Sequence, residues 1–229
     1  MRFSILLFFS FSMLLYSCSY AKGGQSQLTD SAAKYMANIT VIVLTEKKAL
    51  EGDAKAQYDL GDMYEHGRGI EQDYKQAMEW YSKSAQQGYA WAHIAIAQIY
   101  YEGKGVAADS AKAEEWYNKA GELDDPEMPL VLGSIYYYGK HIGRNYSVAA
   151  KWYIKAAEIG YNSAYMSLGE MYSKGQGVAQ DYVMAHMYYN LWGMQFGSSY
   201  PRDAIAKLMT KEQIYEAQKM AREWMEKHQ

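Results

Sequence analysis

Several arrangements of residues in this chain have the types and spacing of chemical sites. Glycine pairs with one residue between them, Gly67–Gly69, Gly103–Gly105 and Gly175–Gly177, have the outline of phosphate-cradling loops, and Gly139-Lys140-His141 is a broken fourth copy. Ser31-x-x-Lys34 has the spacing of the nucleophile and base of penicillin-recognising enzymes. His66, His93, His141, His186 and His228 are possible bases or metal ligands. Each arrangement also has a structural reading, and that reading is the stronger one. A nucleotide-binding glycine loop needs a strand before it, whereas evenly spaced copies read as helix stops. The companion motifs SDN and KTG are absent, as are HExxH and GxSxG. No nucleophile has an evident base, so the expectation is a non-enzyme with no catalytic residue, no metal and no cofactor.

Composition narrows the class further. At 229 residues the chain holds one domain or two, and 49% apolar content is enough for a core. A net charge of −3 supplies no cationic footprint for a phosphate backbone, so no nucleic-acid partner is expected. One cysteine rules out an internal disulfide framework. Twenty-four tyrosines and six tryptophans beside three prolines point to an aromatic helical repeat.

The start of the chain reads as a leader. Arg2 precedes FSILLFFSFSMLLYS, about 22 Å as a helix and short of the ~30 Å hydrocarbon core, which fits a signal peptide over residues 1–17. Leu15-Tyr16-Ser17-Cys18 is similar to a bacterial lipobox with Cys18 as the lipidated first residue, although Tyr16 departs from it. Ser19-Tyr20-Ala21 offers cleavage after Ala21 instead. The reading favours lipidation, with a soluble periplasmic or secreted form as the alternative. Ser19 behind Cys18 resembles outer-membrane sorting. Residues 18–29 are expected to be a flexible spacer.

Beyond the spacer the chain repeats every thirty-six residues. Tyr64, Tyr100, Tyr136 and Tyr172 share the period, as do Gly67, Gly103, Gly139 and Gly175, and Ala77, Ala113, Ala149 and Ala185. Only architecture needs so strict a period. In each unit a first helix (A) carries small and large apolar residues on one face, such as Ala56, Leu60, Gly61 and Tyr64, and stops at a glycine. Asp73, Asp109, Asn145 and Asp181 are placed to cap a second helix (B). Its inward stripe in the first unit is Ala77, Trp80, Tyr81, Ser84 and Ala85. The small residues at 61, 97, 133 and 169 are expected to let two helix backbones approach while the tryptophan fills the space between neighbours. Residues 30–53 read as an N-terminal capping helix and 198–229 as C-terminal capping helices, the last begun by the capping box Thr210-Lys211-Glu212-Gln213.

The stretch AQYDLGDMYEHGRGIEQDYKQAMEWYSKSA, Ala56 to Ala85, resembles the Sel-1-like repeat (SLR), a relative of the tetratricopeptide repeat. The resemblance implies an all-α, right-handed α/α solenoid of about four 36-residue hairpins, at 56–91, 92–127, 128–163 and 164–197. Ala97, Asp124-Asp125-Pro126, Met128, His141 and Asn145 depart from the pattern and suggest a loosened junction near residues 121–129. Cysteine-rich relatives are linked to β-lactams, but this chain has no cysteine after Cys18.

By analogy with the tetratricopeptide groove, partner-binding residues are expected on the concave helix A face. They are Tyr58, Asp62 and Glu65 in the first unit; Trp91, Ile94, Gln98 and Tyr101 in the second; Leu130, Ser134, Tyr137 and Tyr138 in the third; and Met166 and Glu170 in the fourth. Aromatic anchors with scattered acids suit a protein or peptide partner. The implied function is a monomeric, periplasm-facing scaffold in envelope signalling, secretion or host interaction, held to the membrane only through Cys18. The alternatives are an immunity protein against a type VI-secreted phospholipase, which an adjacent toxin gene would mark, and a cell-wall or β-lactam hydrolase.

Overall fold

The computed structural model describes residues 25–228, with side chains from residue 33 onward, and the leader with Cys18 lies outside them. Eleven helices and no strand occur among the described residues. They are α1 (Gln25–Leu50), α2 (Ala54–His66), α3 (Tyr74–Gln86), α4 (Ala90–Glu102), α5 (Ser110–Glu122), α6 (Met128–Tyr138), α7 (Tyr146–Ile159), α8 (Asn162–Lys174), α9 (Tyr182–Phe196), α10 (Arg202–Ala206) and α11 (Lys211–Lys227). Four A–B hairpins follow one another: α2–α3, α4–α5, α6–α7 and α8–α9. The first described helix starts at Gln25, so residues 25–29, expected as spacer, are helical. No described helix is long and apolar enough to cross a membrane.

The repeated residues form the hairpins by repeated physics. Gly67, Gly103, Gly139 and Gly175 end the A helices at φ 64–68°, a left-handed conformation that costs glycine little. Asp73, Asp109, Asn145 and Asp181 then accept backbone N–H groups of the B helices. The capping box at Thr210 and Gln213 is closed in both directions at the start of α11.

The close-approach positions work differently from the expectation. A Cβ added at Gly61, Gly133 or Gly169 would stand 2.5–2.6 Å from the ring of Tyr81, Tyr153 or Tyr189. The small residue therefore makes room for the tyrosine of the same hairpin, and a ring lies between the helices instead of backbone against backbone. The tryptophan does sit between neighbours: Trp80 shares a buried cluster with Ala49 of α1, and the ring of Trp152 lies against Gly121 of the preceding unit. Trp116 and Trp152 are only half-buried, and a lysine three residues on lies over each ring. Lys83, Lys119 and Lys155 stand 3.7, 4.5 and 5.3 Å from the centroids of Trp80, Trp116 and Trp152.

The core is a row of clusters joined by the periodic tyrosines. Tyr64 packs against both the first and second clusters, and Tyr100 against both the second and third. Each hairpin buries its residues against its neighbours, as a quasi-one-dimensional array requires. At the far end α11 closes the row over α9 with Ala217 and Ala221 fully buried. Among the helices of the four hairpins, consecutive neighbours are least closely packed between α5 and α6. There α5 ends on Leu123 in extended backbone where Gly160 closes α7 in left-handed backbone, and five residues separate the helices.

Candidate functional site

The thirteen sequence-selected positions fall into three environments. Ile94 is 4% exposed and belongs to the core, so it has no surface to offer. It is flanked by Ala92, His93, Ala95, Ile96 and Ala97, all buried, because α4 is covered on nearly every side. Leu130 and Met166 are half-buried, and Leu130 packs on the core. Gln98 is also half-buried. Trp91 lies apart, at the N-terminal end of α4, in a cleft with Tyr89 and residues 123–127. The helix length puts it about 15 Å from Tyr101.

Of the remaining positions, Asp62, Glu65, Ser134, Tyr137 and Glu170 are tied into hydrogen bonds or ion pairs, and Tyr58, Tyr101 and Tyr138 meet other rings. Asp62 pairs with Arg68 at 2.6 Å and His66 at 3.1 Å. Glu65 is 6% exposed, accepts the Tyr81 hydroxyl at 2.9 Å and is paired with Lys104 at 3.2 Å. It is a buried structural carboxylate and does not line an open groove. The Tyr58 ring lies between those of Tyr81 and Tyr89, tilted to both, at 5.5 and 5.3 Å. Ser134 accepts a hydrogen bond from Tyr153, and Tyr137 donates to Gln176, each at 3.3 Å. Glu170 pairs with Lys174. Tyr101, 36% exposed, meets the ring of His141 edge-on at 6.2 Å, and Tyr138 is 60% exposed.

A ladder emerges that spacing within one unit does not announce. Lys104 reaches back to Glu65, His141 to Glu102 at 2.8 Å, and Gln176 receives Tyr137, in each case from a loop to the A helix thirty-nine residues earlier. Lys104 also holds Glu102 at 2.6 Å. The signal in the sequence is one period plus three residues, visible only once the loop is known to face the preceding helix. Hydrogen bonding to Lys104 and its charge, with help from His141, hold the Glu102 carboxyl below the usual carboxylate range. The Glu102 hydrogen bond in turn raises the Lys104 ammonium. Burial pushes the Tyr58 and Tyr137 hydroxyls up to about 12, and burial with the Glu65 charge pushes Tyr81 far up. All three therefore remain neutral donors at physiological pH.

His141 is the only non-glycine residue with positive φ among the described residues, at 58°. At the equivalent Gly105 and Gly177 a Cβ would collide with Tyr74 and Tyr146, which begin the preceding B helices. At His141 the side chain is accommodated despite the left-handed backbone and reaches Glu102.

The buried tyrosines of the B helices differ in one respect. Tyr81 and Tyr153 have side-chain partners, whereas the Tyr117 hydroxyl has no protein partner among the described residues, because position 101 holds a tyrosine where the first unit has Glu65. Tyr117→Phe is therefore expected to be neutral or to stabilise by up to about 1 kcal/mol, while Tyr81→Phe costs about 1–3 kcal/mol by removing a donor from buried Glu65. Urea unfolding midpoints of the two variants check the contrast.

None of the hydroxyl hydrogen bonds among the described residues runs to a histidine or lysine base, and no cluster of three metal-ligating side chains occurs among them. Tandem helical hairpins, linked by loop-to-helix contacts and carrying tyrosine-rich helix ends, define an α/α solenoid scaffold. The Sel1 repeat is matched over residues 54–89, 92–125, 130–161 and 162–195, more than half of the chain, and the protein belongs to the Sel1 repeat family, a non-enzymatic family of protein-interaction scaffolds. The crystal structure of a Sel1 repeat protein from Oxalobacter formigenes is similar at 29% identity and a TM-score of 0.54, over 72% of this chain and 70% of that one. The crystal structure of c5321, a protective antigen of uropathogenic Escherichia coli with an SLR fold, is matched at 29% identity and a TM-score of 0.40, over 82% of this chain and 48% of that one. No curated protein matches the chain.

Proposed function

We propose that this protein is a non-enzymatic scaffold of the bacterial envelope that docks a protein or peptide on its concave helix A face, facing the periplasm and anchored through a lipid on Cys18. The observation that carries the docking reading is the exposed aromatic surface at the ends of the middle A helices. Tyr101 and Tyr138 leave much of their rings in solvent, with half-buried Tyr137 between Tyr138 and the core. Aromatic rings give large contact area at low conformational cost and are enriched among the residues that dominate interface energies. The fixed ladder beside them supplies rigid support, so little ordering has to accompany binding.

Crosslinking in cells followed by mass spectrometry tests this reading. The Tyr101→Ser/Tyr138→Ser variant is expected to lose at least one crosslinked partner while its melting temperature stays within about 2 °C of wild type, since both rings are partly solvated. Retention of every partner sinks the groove assignment. Metabolic labelling with a fatty acid, with and without Cys18→Ser, tests the anchor: label that persists in the variant overturns it.

A further inference from the structure

The loosened junction between the second and third units opens a cleft of 570 Å³ lined by Tyr89, Trp91, Leu123, Asp124, Asp125, Pro126 and Glu127, among others. Its lining combines aromatic and aliphatic side chains with three carboxylates. Tyr89 comes from the B-to-A turn before α4 and Trp91 from the first turn of α4, and the others named come from the longer turn before α6. We infer that this cleft is a receptor for a cationic side chain, an arginine or lysine of a peptide partner, seated against Trp91 and Tyr89 and held by Asp124 and Glu127.

The charge pattern selects the occupant. Among the described residues no ion pair involves Asp124, Asp125 or Glu127. The neighbouring cations are committed elsewhere: Lys55 to Asp59 at 2.7 Å and Lys119 to Glu115 at 2.7 Å. One oxygen of Asp125 is used locally, accepting the Glu127 N–H at 2.9 Å, which fixes the turn and leaves Asp124 and Glu127 exposed and free to face a ligand. Burial, and the nearby carboxylates of Asp59, Asp125 and Glu127 against the opposing charge of Lys55, raise the Tyr89 hydroxyl, which places those acids in the electrostatic environment of the aromatic wall. A cation over an indole or phenol ring gains attraction from the ring face as well as from carboxylates, and a guanidinium adds planar stacking. An anionic or purely apolar occupant would leave the three carboxylates uncompensated. The acids also favour the N-terminus of α6, but that does not account for Tyr89 and Trp91 facing them across an open cleft.

The inference rests on the peptide-docking reading only for the source of the cation; the cleft itself is tested by small probes. N-acetyl-arginine methylamide and N-acetyl-lysine methylamide are titrated into the ¹⁵N-labelled protein, with the glutamine and glutamate analogues as controls. The Trp91 indole N–H resonance, identified by its loss in Trp91→Phe, is expected to shift saturably with the cationic probes alone, and more weakly in about 0.5 M salt. Asp124→Asn/Glu127→Gln should weaken binding about tenfold while lowering the melting temperature by no more than about 4 °C, because the two exposed carboxylates support the fold only through the dipole of α6. Tyr101→Ser/Tyr138→Ser, at the opposite helix ends, should leave probe binding unchanged, so failure of the concave surface and failure of the cleft are read separately. An equal shift with the glutamine analogue, unaltered affinity in the neutralised variant, or no shift up to about 50 mM cationic probe each overturns the assignment.

Discussion

Tyr153→Ala is expected to lower the unfolding free energy by about 3–5 kcal/mol, and to lower the melting temperature by about 6–20 °C in a single transition. The ring is 2% exposed, lies against Gly133, packs on Tyr137 at 6.1 Å and donates to Ser134. Removing it leaves a cavity that the Gly133 backbone has no side chain to fill. Against a total stability of about 5–15 kcal/mol the loss is large. It should be felt along the chain, because Tyr64 and Tyr100 couple each cluster to the next and no hairpin buries its faces alone. Circular dichroism and calorimetry on the same sample check both statements. A first transition confined to the third unit, with the remaining helices melting at the wild-type temperature, would contradict the shared core.

Lys104→Ala should cost about 3 kcal/mol, the lower end of what removing one partner of a buried pair costs, since a third of the lysine side chain is solvated. Buried Glu65 is then left with only the Tyr81 hydroxyl as a side-chain partner, and Glu102 with only His141. The double variant Glu65→Gln/Lys104→Ala is expected to recover most of that loss, because a neutral amide still accepts the tyrosine proton and leaves no uncompensated charge. The effect also depends on pH in a defined direction. The Glu102 carboxyl is depressed in the folded protein, so its contribution is present above its unfolded value, about 4.3, and is lost as pH falls through the lower folded value. The gap in melting temperature between wild type and Lys104→Ala should therefore narrow below about pH 4. A gap that widens there would mean that Glu102 does not depend on Lys104.

Some of this molecule is written locally and some is not. A thirty-six-residue period, a glycine after each A helix and an Asp or Asn before each B helix determine helices, stops and caps, because those effects act within one turn of the chain. The departures at 124–126 likewise mark the weak junction, since a turn without a closing glycine and with a proline cannot repeat the others. Surface positions were read with less success. Glu65 and Ile94 sit at helix positions that a single unit leaves open, and the next unit covers both: Lys104 arrives over Glu65, and the neighbouring helices enclose Ile94. Trp91 was selected as one aromatic among several on a face and instead became the wall of a cleft, because the turn thirty-two or more residues later swings wide of it.

The sequence by itself determined the repeat, its family and the chemistry of each helix end, for these follow from interactions between residues a few positions apart. The tertiary structure alone decided which exposed faces stay exposed, which carboxylates are matched by a cation and which are left facing a cleft, since burial and charge pairing depend on where the neighbouring hairpin comes to rest.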